Sequence, residues 1–215
     1  MIQSYNPYIW ASHLFTNACW HAKRTEKVLY LTFDDGPHPI VTPFVMNTLA
    51  SFHAKASFFM LGKQVLQYPQ LADRVKEAGH LIGNHSFDHP NGWKTSTEHY
   101  MKNIERADEY IHSSYFRPPY GRLRYKQYRQ IQSRFRIIMW DVLTGDYISQ
   151  RTAEQCMQHI LQQTRPGSIL VFHDTPRSMP ILQQLLPQVL THFHQDGYQF
   201  LPVSEIAFGN PKKIA

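Results

Sequence analysis

The chain has 215 residues, 42% hydrophobic and 18% charged, which suits one globular domain with a sizeable core and leaves disorder only for the ends. Its formal charge of +6 is spread along the chain (Lys23-Arg24, the Arg122 to Arg136 stretch, Lys212-Lys213), and no helix-turn-helix, zinc-finger or RNA-reading motif accompanies it. Nucleic acid is therefore not an expected partner, whereas a mildly basic surface suits an anionic polymer or surface. Cys19 and Cys156 are too few and too far apart for a disulfide framework or a thiolate metal site, and read as small packed residues.

Residues 1–24 carry no continuous apolar stretch of signal-peptide type, and no segment has the length of a membrane span, so a cytoplasmic or peripherally membrane-associated protein is expected. Ile9, Trp10, Leu14 and Phe15 can form one apolar face of a short helix in an N-terminal extension, 1–24, packed on or beside the domain. Short apolar runs then alternate with helix-like segments. The runs are Val28–Phe33, Ala56–Leu61, His80–Asn84, Tyr115–Arg117, Arg136–Trp140, Ile169–Phe172 and Phe200–Val203. The helical segments are Thr42–Phe52, Leu71–Glu77, Thr97–His112, Arg124–Ser133, Ala153–Gln163 and Pro180–His194, with Ser96 or Thr97 at a start and Gly79 and Gly197 just past ends. This alternation predicts parallel βαβ units over 25–208, with 209–215 a tail. About seven repeats predict an α/β fold of TIM-like, irregular (β/α) barrel type rather than an open sheet.

In such a barrel the functional groups gather at the C-terminal ends of the strands. Thr32-Phe33-Asp34-Asp35-Gly36-Pro37 ends the first run with two adjacent carboxylates, a costly pair unless a cation or base neutralises it. His85-Ser86-Phe87-Asp88-His89 follows the third run, and its two imidazoles at i and i+4 can face one metal ion. With Asp35 they form a two-imidazole, one-carboxylate set typical of a hydrolytic metal site. Zinc is the natural expectation, with nickel, cobalt and manganese left open by ligand type. Arg117-Pro118-Pro119-Tyr120-Gly121 supplies a permanent cation in a rigid turn. Asp141 to Tyr147 and Ile169-Leu170-Val171-Phe172-His173-Asp174 complete the series. Taken singly, each cluster reads as an ordinary turn or rim residue; five in succession on one side of the fold do not.

In this order the clusters resemble the polysaccharide deacetylase family, carbohydrate esterase family four, over residues 28 to about 203. The resemblance implies an irregular (β/α) barrel and a metal-dependent hydrolase that removes N-acetyl (or O-acetyl) groups from an acetylated carbohydrate. It implies Asp35, His85 and His89 as metal ligands, and Asp34 as the base that takes a proton from the attacking water. Arg117 would orient Asp34, His173 would protonate the leaving amine, a backbone N–H near Tyr120 would bind the oxyanion, and Leu170 would line the acetyl pocket. The segment 141–147 departs from the family pattern. Leu143 stands where a carboxylate is usual, which leaves Asp146, preferred over Asp141, to support His173, and Tyr147 stands in place of a tryptophan as an aromatic wall. Two other readings compete: an amidohydrolase of a small soluble amide, and a non-catalytic carbohydrate-binding module. Retention of both Asp34 and His173 argues against the second, because a binder needs neither.

Overall fold

The computed structural model describes residues 12–207. Eight strands form one sheet: β1 (Val28–Asp34), β2 (Ser57–Met60), β3 (Leu81–Asn84), β4 (Tyr115–Phe116), β5 (Arg136–Ile137), β6 (Val142–Leu143), β7 (Ile169–His173) and β8 (Gln199–Phe200). The helices between them are α1 (Val41–Ala50), α2 (Gly62–Gln67), α3 (Pro69–Glu77), α4 (Thr97–Ile111), α5 (Tyr125–Ile131), α6 (Ala153–Gln163) and α7 (Met179–Gln195). The pairings are parallel, in the order β5-β4-β3-β2-β1-β7-β6, with β8 against β1.

Period-two alternation along the strands divides the apolar residues into two cores. On β1, Leu29, Leu31 and Phe33 face outward into the layer between sheet and helices, together with Leu170 and Phe172 of β7 and Leu182, Leu185 and Val189 of α7. Val28, Tyr30 and, on β7, Ile169 and Val171 face the inside of the curl with Phe59, Phe116, Ile138 and Trp140. The inner face of β1 therefore ends in Thr32 and Asp34, both buried.

The sheet curls into an irregular barrel of the expected kind, with a seam between β5 and β6, the two ends of the ladder. The segment before β1 crosses that seam. Cys19 bridges Ile138 just beyond β5, and His21 bridges Ser168 just before β7. Cys19 N–H donates to Ile137 O at 2.8 Å and Met139 N–H donates to Cys19 O at 2.7 Å. Phe15 packs on Tyr128 with ring centroids 4.7 Å apart, whereas Leu14 is exposed; Ile9 and Trp10 lie outside the described residues.

The seam also explains where the sequence reading and the chain part. The run Arg136–Trp140 is not one strand: β5 stops at Ile137, and the chain re-enters the sheet as β6, which pairs with Leu170 and Val171. Such a two-residue strand carries too little pattern to be seen in sequence. The same holds for α2, whose six residues begin at Gly62. At α4, Ser96 caps the helix by accepting the His99 N–H, as its position in the sequence predicts. Among the described residues no helix is long and apolar enough to cross a membrane.

Candidate active site

The register of β1 on β7 pairs Asp34 with His173, so a carboxylate and an imidazole stand side by side at the C-terminal rim. On the other flank, Arg117 N–H donates to Asn84 O at 3.0 Å, which brings the residues after β3 and β4 together. Asp34, Asp35, His85, His89, Tyr120, Tyr147 and His173 all line one cavity of about 470 Å³, a size ordinary for a ligand site.

Arg117 is fully buried, and every part of its fork is engaged. Nη1 donates to Asp34 Oδ1 at 2.8 Å and to Thr32 Oγ1 at 2.6 Å; Nε and Nη2 donate to the carbonyls of Ile138 and Met139. A guanidinium tied at three other points cannot swing, so it fixes one oxygen of Asp34 and leaves Oδ2 facing the cavity, 3.9 Å from His85 Nε2.

Asp35, His85 and His89 bring one donor atom each to within 4.8 Å of one another. Asp35 Oδ1 is buried and has no hydrogen-bond partner among the described residues; it lies 3.3 Å from His89 Nε2 and 3.7 Å from His85 Nε2. Tetrahedral zinc with bonds of about 2.0–2.2 Å spaces its ligand atoms by roughly 3.3–3.6 Å, so these separations suit a shared ion. His85 Nδ1 donates to Arg117 O at 2.8 Å, which assigns the tautomer and turns Nε2 toward the cluster. Burial, reinforced by His89, pulls the His85 pKa down to about 3, and burial also lowers that of His89, so both rings are neutral and ready to ligate. Asp35, Ser86, His89 and Tyr120 account for four of the six non-glycine residues with positive φ among the described residues. Such conformations cost energy, and their concentration here marks a shaped site.

His173 Nδ1 donates to Asp146 Oδ1 at 2.9 Å, and the His173 backbone N–H donates to Oδ2 of the same carboxylate at 2.7 Å. Asp146 is wholly inaccessible. Burial alone would pull the His173 pKa down, but the Asp146 carboxylate, helped by Asp34 and Asp35, more than reverses this and holds it at about 9. Tyr147 stacks edge-on against His173 at 4.9 Å, and Tyr120 against His89 at 4.4 Å. Gly121, at φ +64°, completes the turn beneath Tyr120; a Cβ there would meet the Trp140 ring at 2.8 Å.

Two residues stand elsewhere than the sequence reading put them. Leu170 is fully buried in the outer core, because its neighbour Val171 shares the parity of Asp34 and His173 and lines the cavity instead. Asp141 immediately precedes β6, at the opposite rim. It accepts from the Ile169 N–H at 2.7 Å, from Ser168 Oγ at 2.8 Å and from Arg24 Nη2 at 2.7 Å, so it secures the seam. Asp174, next to His173, has a place that its position in the sequence does not reveal. It is buried behind the Asp34–Pro37 turn, accepts a hydrogen bond from Thr42 Oγ1, and has Gly36 so close that a Cβ there would meet its carboxylate at 2.1 Å. Only the general rule that a glycine in a tight turn marks a close approach could have pointed to it.

The family model for polysaccharide deacetylase matches residues 21–138, more than half of the chain. The chain belongs to that family. The match covers Asp34, Asp35, His85, His89, Arg117 and Tyr120 and ends before Asp146 and His173. A peptidoglycan-N-acetylglucosamine deacetylase of Listeria monocytogenes is 35% identical over 189 residues, 85% of this chain and 39% of that protein. The chain thus spans about two fifths of that relative's length. A chitooligosaccharide deacetylase of Azorhizobium caulinodans is 35% identical over 159 residues, 70% of this chain and 75% of its own. Among solved structures, a peptidoglycan N-acetylglucosamine deacetylase in complex with an N-hydroxybenzamide superposes with a TM-score of 0.86 at 26% identity, covering 94% of this chain and 97% of its own. The polysaccharide deacetylase fold therefore extends over the seam and the β6 and β7 residues as well.

Proposed function

We propose that this polysaccharide deacetylase-family chain hydrolyses the N-acetyl group of an acetylated glycan. The observation that carries the reading is one cavity holding three separate chemistries: an oriented carboxylate (Asp34 on Arg117), an orphaned ligand set (Asp35, His85, His89) and a carboxylate-supported imidazole (His173 on Asp146). The names of the relatives point the same way, since they act on N-acetylglucosamine units in peptidoglycan and on chitooligosaccharides.

Asp35, His85 and His89 would hold one divalent ion, with zinc the best match to a two-nitrogen, one-oxygen donor set. When bound it supplies Lewis acidity, acidifying a water and polarising the acetamide carbonyl. Asp34 Oδ2 takes a proton from the attacking water as the new C–O bond forms, while Arg117 prevents the carboxylate from turning away. The Tyr120 N–H is the donor for the oxyanion. Collapse breaks the C–N bond, and His173 delivers the proton the departing amine needs, with Asp146 holding the ring and its charge. The products are acetate and a free amino sugar. Tyr120 and Tyr147 would wall the sugar, and Val171 with Leu143 would meet the acetyl methyl. The catalytic unit on this reading runs over 25–208, with 1–24 an N-terminal extension and 209–215 a C-terminal tail.

A panel of peptidoglycan fragments, chitooligosaccharides and small acetamides, assayed for acetate before and after chelation, tests the reading. Glycan-dependent release that stops on chelation and returns with zinc is expected. Release from small acetamides alone would favour an amidohydrolase, and no release with metal bound would overturn the assignment.

A further inference from the structure

The cavity's two carboxylates each have a place, Asp34 on Arg117 and Asp35 in the ligand set with His85 and His89, yet two further cations stand at its mouth with no anionic partner among the described residues. Arg122 lines the cavity on the Tyr120 side and Arg177 on the Tyr147 side. Among the described residues neither forms an ion pair or a side-chain hydrogen bond. The Arg122 guanidinium lies against two aromatic rings, its Cζ 4.9 Å from the centroid of Trp93 and 5.9 Å from that of Tyr120. Cation–π contact of this kind holds the guanidinium in place without using its N–H donors, which suits it to a carboxylate. Trp93 and Tyr120 are themselves 58% and 56% exposed, unusual for large rings with no covering chain and apt for a sugar face. Arg177 is exposed and near enough to Tyr147 for its charge to oppose, with that of Arg151, the rise that burial and Asp146 impose on that phenol's pKa.

We propose that Arg122 and Arg177 form a carboxylate-reading rim, which makes the preferred substrate a glycan whose sugars next to the acetylated unit bear carboxylates, rather than a neutral chitooligosaccharide. The inference rests on the deacetylase reading and narrows it. Several peptidoglycan deacetylases and a chitooligosaccharide deacetylase are among the relatives, and the sign of the charge at the mouth favours the carboxylate-bearing glycan. Arg122 and its Trp93–Tyr120 platform carry the adjacent unit on one side of the acetamide, and Arg177 meets a negative group on the other. The chain's formal charge of +6 strengthens attraction to such a polymer at long range.

The test compares N-acetylglucosaminyl-N-acetylmuramic acid, which has a lactyl carboxylate, with its methyl ester, using binding by calorimetry and acetate release in parallel. The free carboxylate should bind roughly three- to tenfold more tightly than the ester at 50 mM salt, and the ratio should shrink at 500 mM. Arg177→Glu, at an exposed position with no structural contact to lose, and Arg122→Gln should each lower that ratio, and the double variant should bring it to about one. A ratio near one in the unaltered protein, or one unmoved by both substitutions, overturns the carboxylate rim. A carboxylate- and arginine-dependent affinity without acetate release would instead overturn the deacetylase reading and leave the rim standing.

Discussion

Asp146→Asn isolates the contribution of a single buried carboxylate to catalysis. The side chain is inaccessible and touches His173 twice, at ring and backbone, so the isosteric amide preserves volume while removing the charge that sustains the imidazolium. With Asp146 present the His173 pKa stands at about 9; without it, burial, the largest effect on the ring, is opposed only by the more distant Asp34 and Asp35, and the value should fall below the ordinary 6.5. At pH 7.5 a group of pKa 9 is roughly 97% protonated and one of 6.5 roughly 9%. The variant should therefore lose at least about tenfold in acetamide hydrolysis at that pH, before any loss of ring orientation, and recover partly near pH 6. A bound cation lowers the His173 pKa in both proteins, so the displacement between the two profiles is the quantity to read. An aryl acetate, whose leaving group departs without protonation, should be spared. Acetate release and phenol release measured across pH 5 to 9 give both readouts. Equal losses on amide and aryl ester, or superimposable pH profiles, would refute the general-acid account of His173.

Asp34→Asn should keep metal and fold but lose roughly 10²–10⁴-fold in acetate release, because Arg117 retains Thr32 and two backbone carbonyls as partners; elemental analysis showing an emptied site would make Asp34 a ligand instead. His89→Ala should abolish stoichiometric zinc in protein purified without added metal, whereas full occupancy in that variant would displace the ligand set. Asp174 has its pKa pushed up by burial from 3.8 to about 8, partly opposed by the hydrogen bond from Thr42. Its folded value lies above its unfolded one, so the stability it contributes is complete below pH 4 and is lost as pH rises toward 8, by at most about 1.4 kcal/mol per pH unit. Asp174→Asn should therefore become progressively more stable relative to the parent as chelated protein is titrated from pH 5 to 8; denaturation midpoints that stay parallel would refute this.

The sequence by itself determined the fold class and most of the candidate site. Long apolar runs such as Val28–Asp34 and Ile169–His173 announce themselves because all of their residues but His173 are buried, and short polar motifs at their ends are legible because a parallel barrel gives its strand ends one purpose. What it could not determine depends on contacts between distant segments. Whether Leu170 or Val171 faces the cavity is set by the register of β7 on β1, and a shift of one residue exchanges the two faces. That Asp146 supports His173 while Asp141 anchors Ser168 and Arg24 follows from the chain crossing the seam between two-residue strands, a step too short to leave a period in the sequence. Asp174 behind Gly36, and Arg122 against Trp93, are likewise meetings across 138 and 29 positions of chain. Residue types carry the chemistry, but close packing decides which copy of each type reaches the site.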